Sequence, residues 1–161
     1  MTVIHPIPPL YNQDSRILIL GSFPSVKSRE SMFFYGHKQN RFWKVIAQIL
    51  ECDVPQDIPE KKNMLLSNKI AVWDVIGSCV ISGSADSTIT DAIPNDISPI
   101  LNTADIKAIF TNGKKAHELY EKHIRQKVGI ASMYLPSTSP ANASFSFERL
   151  VSEWSLIKKF L

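Results

Sequence analysis

The residues best suited to chemistry sit in short polar stretches: Gly21-Ser22-Phe23-Pro24-Ser25, Tyr35-Gly36-His37-Lys38-Gln39-Asn40-Arg41-Phe42-Trp43, Asp74, Thr111-Asn112-Gly113, and Pro136-Ser137-Thr138-Ser139-Pro140-Ala141-Asn142. They offer backbone amides, small hydroxyls, aromatic faces, carboxamides and a carboxylate. Such groups suit binding a flat, polar ring and holding a water beside it. They do not suit strong acid-base chemistry. No G-x-x-x-x-G-K-[ST] or G-x-G-x-x-G loop is present, and no cysteine or lysine occupies a nucleophile turn. The turns hold no pair of carboxylates. Cys52 and Cys79 form no C-x-x-C and have no histidine close in sequence, so no metal site is expected. His5, His37, His117 and His123 are scattered and read as surface residues.

Each polar stretch needs an element to position it. Ile17-Leu20, Ile70-Trp73, Ile106-Phe110 and Ser132-Leu135 are short apolar runs that read as buried parallel strands. Helical spacing follows them: Phe42, Val45, Ile46, Ile49 and Leu50 in a helix expected over 41–51, and Ala116, Leu119, Tyr120 and His123 in one opened by Gly113. Ser98-Pro99 reads as an N-cap followed by proline at the first helical position. Phe147, Leu150, Val151, Trp154, Ile157 and Leu161 form a last helical stripe. The pattern predicts an α/β fold: a three-layer α/β/α sandwich with a central, mostly parallel four-stranded sheet, spanning residues 1–161 as one domain. Right-handed crossovers would bring the four strand ends to one edge, where open α/β sheets place their sites. The segment 77–96, rich in Ser, Thr, Asp and Gly with no clear period, reads as a long functional loop or a short helix of unassigned position.

Hydrophobic residues make up 44% of the 161, enough for a core and too many for a disordered chain. The formal net charge of +3 permits a polyanion partner without demanding one. No apolar run is long enough to span a bilayer and no signal segment opens the chain, so no membrane partner and a cytoplasmic location are expected.

In chain order, these stretches resemble the uracil-DNA glycosylase superfamily, and most closely its hypoxanthine-DNA (deoxyinosine) glycosylase branch, family 6. Gly21-Ser22-Phe23-Pro24-Ser25 stands at the place of the superfamily's first turn. Asn40-Arg41-Phe42-Trp43-Lys44-Val45-Ile46 is also similar to mismatch-specific uracil glycosylases. Ala71-Val72-Trp73-Asp74-Val75 matches the base-recognition strand, Gly113-Lys114-Lys115-Ala116 follows the third strand, and Leu135 to Asn142 stands at the second motif. Phe23 occupies the region where most members carry a polar, water-positioning residue. The deoxyinosine branch shares this loss, and the second motif here lacks the histidine of several branches, with Ser137 near its place.

The resemblance implies a monofunctional hydrolase of DNA containing deaminated bases, acting as a monomer without a cofactor. Asn40 would orient the attacking water, and Asp74 would serve catalysis and base recognition. Gly21, Ser22, Phe23, Tyr35 and Asn112 would complete the base site. Ser25, Ser137, Ser139, Pro140, Asn142 and Lys114 would contact the DNA backbone, with a wedge supplied from 141–145. Asn40 reads equally as a helix cap. Other readings are a uracil or mismatch glycosylase, a non-catalytic nucleic-acid-binding domain, and a hydrolase of free nucleosides.

Overall fold

Ile17 through Gly21 are buried without interruption, so the strand they form has no solvent face. In the computed structural model, which describes residues 1–161, the strands are β1 (Thr2–Ile4), β2 (Ile17–Gly21), β3 (Ile70–Asp74), β4 (Ile76–Val80), β5 (Thr90–Pro94), β6 (Ala108–Asn112) and β7 (Ser132–Leu135). The helices are α1 (Val26–Ser31), α2 (Phe42–Leu50), α3 (Ile58–Ser67), α4 (Ser98–Thr103), α5 (Lys114–His123), α6 (Arg125–Val128) and α7 (Phe147–Trp154). Four strands form the expected parallel sheet in the order β3-β2-β6-β7.

Side chains alternate across this sheet. Ile17, Ile19, Ile70, Val72, Ala108 and Phe110 face one core, which includes the buried residues of α2, α3 and α7. Leu18, Leu20, Ala71 and Ile109 face the other, which includes those of α4 and α5. Buried on both faces, the strands read as unbroken apolar runs, the usual pattern of parallel sheets.

The third expected strand begins two residues later than its apolar run, at Ala108, because Ile106 and Lys107 lead in from the turn after α4. Ser98 lies inside α4 rather than capping it. Ile97 is the N-cap residue, and the Asp96 carboxylate accepts from the Ser98 amide at 2.9 Å. The terminal apolar stripe is α7 followed by a 3-10 turn over Ser155–Phe160.

The larger correction concerns residues 77–96. They do not form a long loop. Most belong to a β4–β5 hairpin, which joins β1 in a second, three-stranded antiparallel sheet. Register shifts between Ile76, Ser78 and Val80 interrupt the pairing and break the two-residue alternation that would mark a strand. No helix is long and apolar enough to cross a membrane.

Trp154 has no exposed surface, and its indole donates to the Pro136 carbonyl at 2.9 Å. It thereby ties α7 to the loop after β7. Trp154→Ala should cost about 3–5 kcal/mol of stability, read as a fall in the urea midpoint.

Candidate active site

The C-terminal ends of β2, β3, β6 and β7 converge on one cavity of about 440 Å³. Gly21, Ser22, Phe23, Ser25, Tyr35, Asn40, Asp74, Asn112, Ser137, Ser139 and Pro140 all line it, although more than a hundred residues separate the first from the last. The convergence expected from right-handed crossovers is therefore present.

The floor is built around Gly21. A Cβ there would lie 2.5 Å from Asp74 Oδ1 and 3.1 Å from the Tyr35 hydroxyl. Only a residue without a side chain lets these two groups close over the strand end. Asp74 is 4% exposed, so its charge needs a partner. His5, with 2% of its side chain exposed, supplies one: Nε2 lies 2.7 Å from Asp74 Oδ2. The Ile7 amide donates to His5 Nδ1 at 3.1 Å, so a neutral ring carries its proton on Nε2 and donates it to the carboxylate. Phe23 and Trp73 set their rings edge-on to the imidazole, at centroid separations of 5.8 and 5.9 Å. His5 is thus an interior residue and not a surface one. Its isolated place near the start of the chain carried no signal of this partnership.

Tyr35 supplies the wall. One face of its ring stacks on Phe42 at 4.0 Å between centroids. Its hydroxyl is buried without a hydrogen-bond partner. Burial pushes the phenol far above the ordinary tyrosine value; the Asp74 charge adds to this and the Asn112 side chain opposes it. The backbone at Tyr35 is left-handed, with φ of 52°, which costs about 1–2 kcal/mol for a residue with a Cβ. Trp43 holds this segment: its indole donates to the carbonyls of Phe34 and Tyr35, each at 3.2 Å. The Gly36 amide donates to Ser28 Oγ at 2.9 Å.

Asn40 lines the cavity but is not the cap of α2: the N-cap residue is Arg41, and Asn40 forms a tight turn just ahead of it. Its Oδ1 accepts from the Phe42 amide at 2.9 Å, and no bond engages Nδ2. Arg41 clamps the facing loop, donating through its guanidinium to the carbonyls of Asn142 and Phe145 and through its amide to Thr138. The Asn112 carboxamide is spent on the same loop: Nδ2 donates to Thr138 Oγ1 at 3.0 Å, and Oδ1 accepts from the Thr138 amide at 3.1 Å. Thr138, fully buried, is the hub of this junction, and its position in a polar run gave no hint of that. Ser137 Oγ accepts from the Ser139 amide and Ser139 Oγ from the Ala141 amide, so each hydroxyl hydrogen is left to donate elsewhere.

Two residues expected at the DNA surface do not line the cavity. Lys114 is exposed in the first turn of α5, and Asn142 donates to the Ser137 carbonyl at 3.0 Å, bracing the loop. Among the lining residues outside the expected set, one bears a charge. Asp86, at the tip of the β4–β5 hairpin, accepts from the Ser22 hydroxyl at 2.8 Å. The cavity thus contains two carboxylates, Asp74 and Asp86, where the strand-end turns alone offered one. Asp86 was hidden because it enters from an antiparallel hairpin. In that turn, the Ser22 and Phe23 amides donate to no group in the protein.

The model of the Uracil DNA glycosylase superfamily matches residues 8–158. A curated protein of Methanosarcina acetivorans named "Hypoxanthine DNA glycosylase" is 36% identical over 152 residues, covering 93% of this chain and 94% of its own. A protein of Methanosarcina barkeri with the same name is 34% identical over 137 residues, covering 84% and 85%. A solution NMR structure from M. acetivorans, described as a candidate uracil DNA glycosylase, superposes with a TM-score of 0.82 at 33% identity, covering 98% of this chain and 96% of that one. The chain belongs to the uracil DNA glycosylase superfamily.

Proposed function

We propose that this protein is a monofunctional DNA glycosylase that removes deaminated bases, hypoxanthine first among them. The observation that carries the reading is the convergence, in one cavity, of an aromatic face, a carboxylate with one oxygen free, unpaired turn amides and a carboxamide. Its superfamily membership and the names of its curated relatives support the same conclusion.

A base inside a duplex is out of reach, so the nucleotide must be turned out into the cavity. The ring face of Tyr35 away from Phe42 is suited to stack on it, an interaction worth about 1–3 kcal/mol. Hypoxanthine presents an acceptor at O6 and a donor at N1. The Ser22 and Phe23 amides answer the first, and Asp74 Oδ1 the second. Because His5 already occupies Oδ2, the carboxylate presents one oxygen to the base. Adenine reverses this donor-acceptor order and would leave buried groups unpaired, which costs about 1–3 kcal/mol for each. Uracil shares the acceptor-donor edge, so some release of uracil follows from the same contacts. Asn40 aims the water at the anomeric carbon as the sugar becomes cation-like. The free hydroxyl hydrogens of Ser137 and Ser139 suit flanking phosphates, with Ser25 and Pro140 at the rim and Lys114 adding a salt-dependent attraction. The enzyme works as a monomer in the cytoplasm, without a cofactor.

Duplexes carrying inosine, uracil or xanthosine should be processed fastest at inosine in single-turnover base release. Asn40→Ala should slow that release about 100-fold while DNA binding persists. The lost bond to the Phe42 amide costs only about 1 kcal/mol, so the fold survives. Parallel loss of binding and release would instead assign Asn40 a structural role. Gly21→Ala should displace Asp74 Oδ1 and erode the preference for inosine over adenine, measured as the ratio of the two release rates.

A further inference from the structure

A water that bonds to the anomeric carbon must lose a proton, and the Asn40 carboxamide cannot take one. The cavity contains four other side chains that titrate: Tyr35, His37, Asp74 and Asp86. The Tyr35 phenol is buried and held in its protonated form. His37 Nδ1 already accepts from the Gln39 amide at 3.1 Å, so its neutral ring carries a proton on Nε2 and has no lone pair to offer. Asp74 gives one oxygen to His5 and, in the reading above, the other to N1 of the base, so both are engaged. Asp86 differs on each count. It sits on an exposed hairpin tip, at the rim, and Ser22 bonds only Oδ1, so Oδ2 is unengaged.

The hairpin that carries Asp86 is fixed against the first turn. The Val26 amide donates to Ser84 Oγ at 2.9 Å. The Arg29 guanidinium bridges the carbonyls of Pro24 and Gly83, at 3.3 and 3.2 Å. With the Ser22–Asp86 bond, these contacts hold the carboxylate at the turn that follows β2, in the cavity wall.

We propose that Asp86 is a catalytic residue that accepts the proton of the attacking water through its free Oδ2. The assignment rests on the glycosylase reading above. In the step, the water oxygen bonds to the anomeric carbon and the carbon–nitrogen bond breaks. Its electron pair leaves with the base, one water proton passes to the Asp86 carboxylate, and the departing base takes a proton from solvent. Before transfer, the negative charge of Asp86 also favours the cation-like sugar.

Asp86 must be ionised to act, so activity is present above its pKa and falls as pH drops through it. Partial burial pushes this carboxyl up; the Ser22 hydrogen bond pulls it down, Asp74 on β3 raises it and Lys115 on α5 lowers it. The loss therefore starts at a higher pH than for an ordinary carboxylate. Arg29 on α1 binds the same hairpin, and His37 lines the cavity, so both stay constant in the comparison.

The test is single-turnover release from inosine duplex across pH, with DNA binding measured in parallel. Asp86→Asn should keep the Ser22 contact and DNA binding, slow release about 100-fold or more, and remove the part of the acidic limb set by Asp86, so that the limb moves away from its wild-type position. Asp86→Glu should recover part of the rate and retain the limb. An Asp86→Asn enzyme within about threefold of the wild type would overturn the assignment, as would a slow one whose acidic limb coincides with that of the wild type. No base release by the wild-type chain would overturn the parent reading together with this one. That result is distinct from a fast wild type and a fast variant, which removes Asp86 alone.

Discussion

The missing side chain at Gly21 sets the geometry on which the site depends. Strand β2 ends in the middle of the sheet, and the Asp74 carboxylate and the Tyr35 hydroxyl close over that end from separate parts of the chain. A single methyl group would force them apart. The same compactness makes Asp74 a demanding residue to bury, and the His5 imidazole answers that demand by binding Oδ2 at 2.7 Å. The floor therefore keeps Oδ1 available to a ligand.

The segment from Tyr35 to Trp43 shows how few residues the site requires when each serves twice. Tyr35 is both wall and packing partner of Phe42. Asn40 both lines the cavity and binds the first amide of α2. Arg41 braces the loop that brings Ser137 and Ser139 to the rim, and Trp43 holds the carbonyls of the left-handed turn. Strain at Tyr35 is tolerated because the indole and the Ser28 hydroxyl fix the backbone around it. A rigid wall suits a ligand that must be gripped by one face.

Much of this was legible in the residues. The four parallel strands announced themselves because burial on both faces makes them uninterrupted apolar runs, and the crossover rule then gathered Gly21, Asp74, Asn112 and Ser137 at one edge. The second sheet was not legible: β1 is three residues long, and bulges disrupt the alternation of β4 against β5. Asp86 was lost with that hairpin. His5 and Thr138 escaped for a different reason. Their importance lies in contacts with residues distant in sequence, and neither periodicity nor a local motif reports such a contact. Lys114 shows the converse, since a basic residue at a helix start need not face the cavity its strand leads to.

The amino-terminal strand has a reach out of proportion to its length. β1 aligns with β4, and the chain then delivers His5 to a carboxylate 69 residues away. The strand flanks the hairpin that brings in Asp86, and the segment after it steadies Asp74. Proteolytic trimming or a bulky fusion at this end would strip the outer neighbour from β4, leave a bare sheet edge, and disturb both acidic groups of the cavity at once. The integrity of the first few residues is thus a condition for chemistry carried out at the opposite end of the strands.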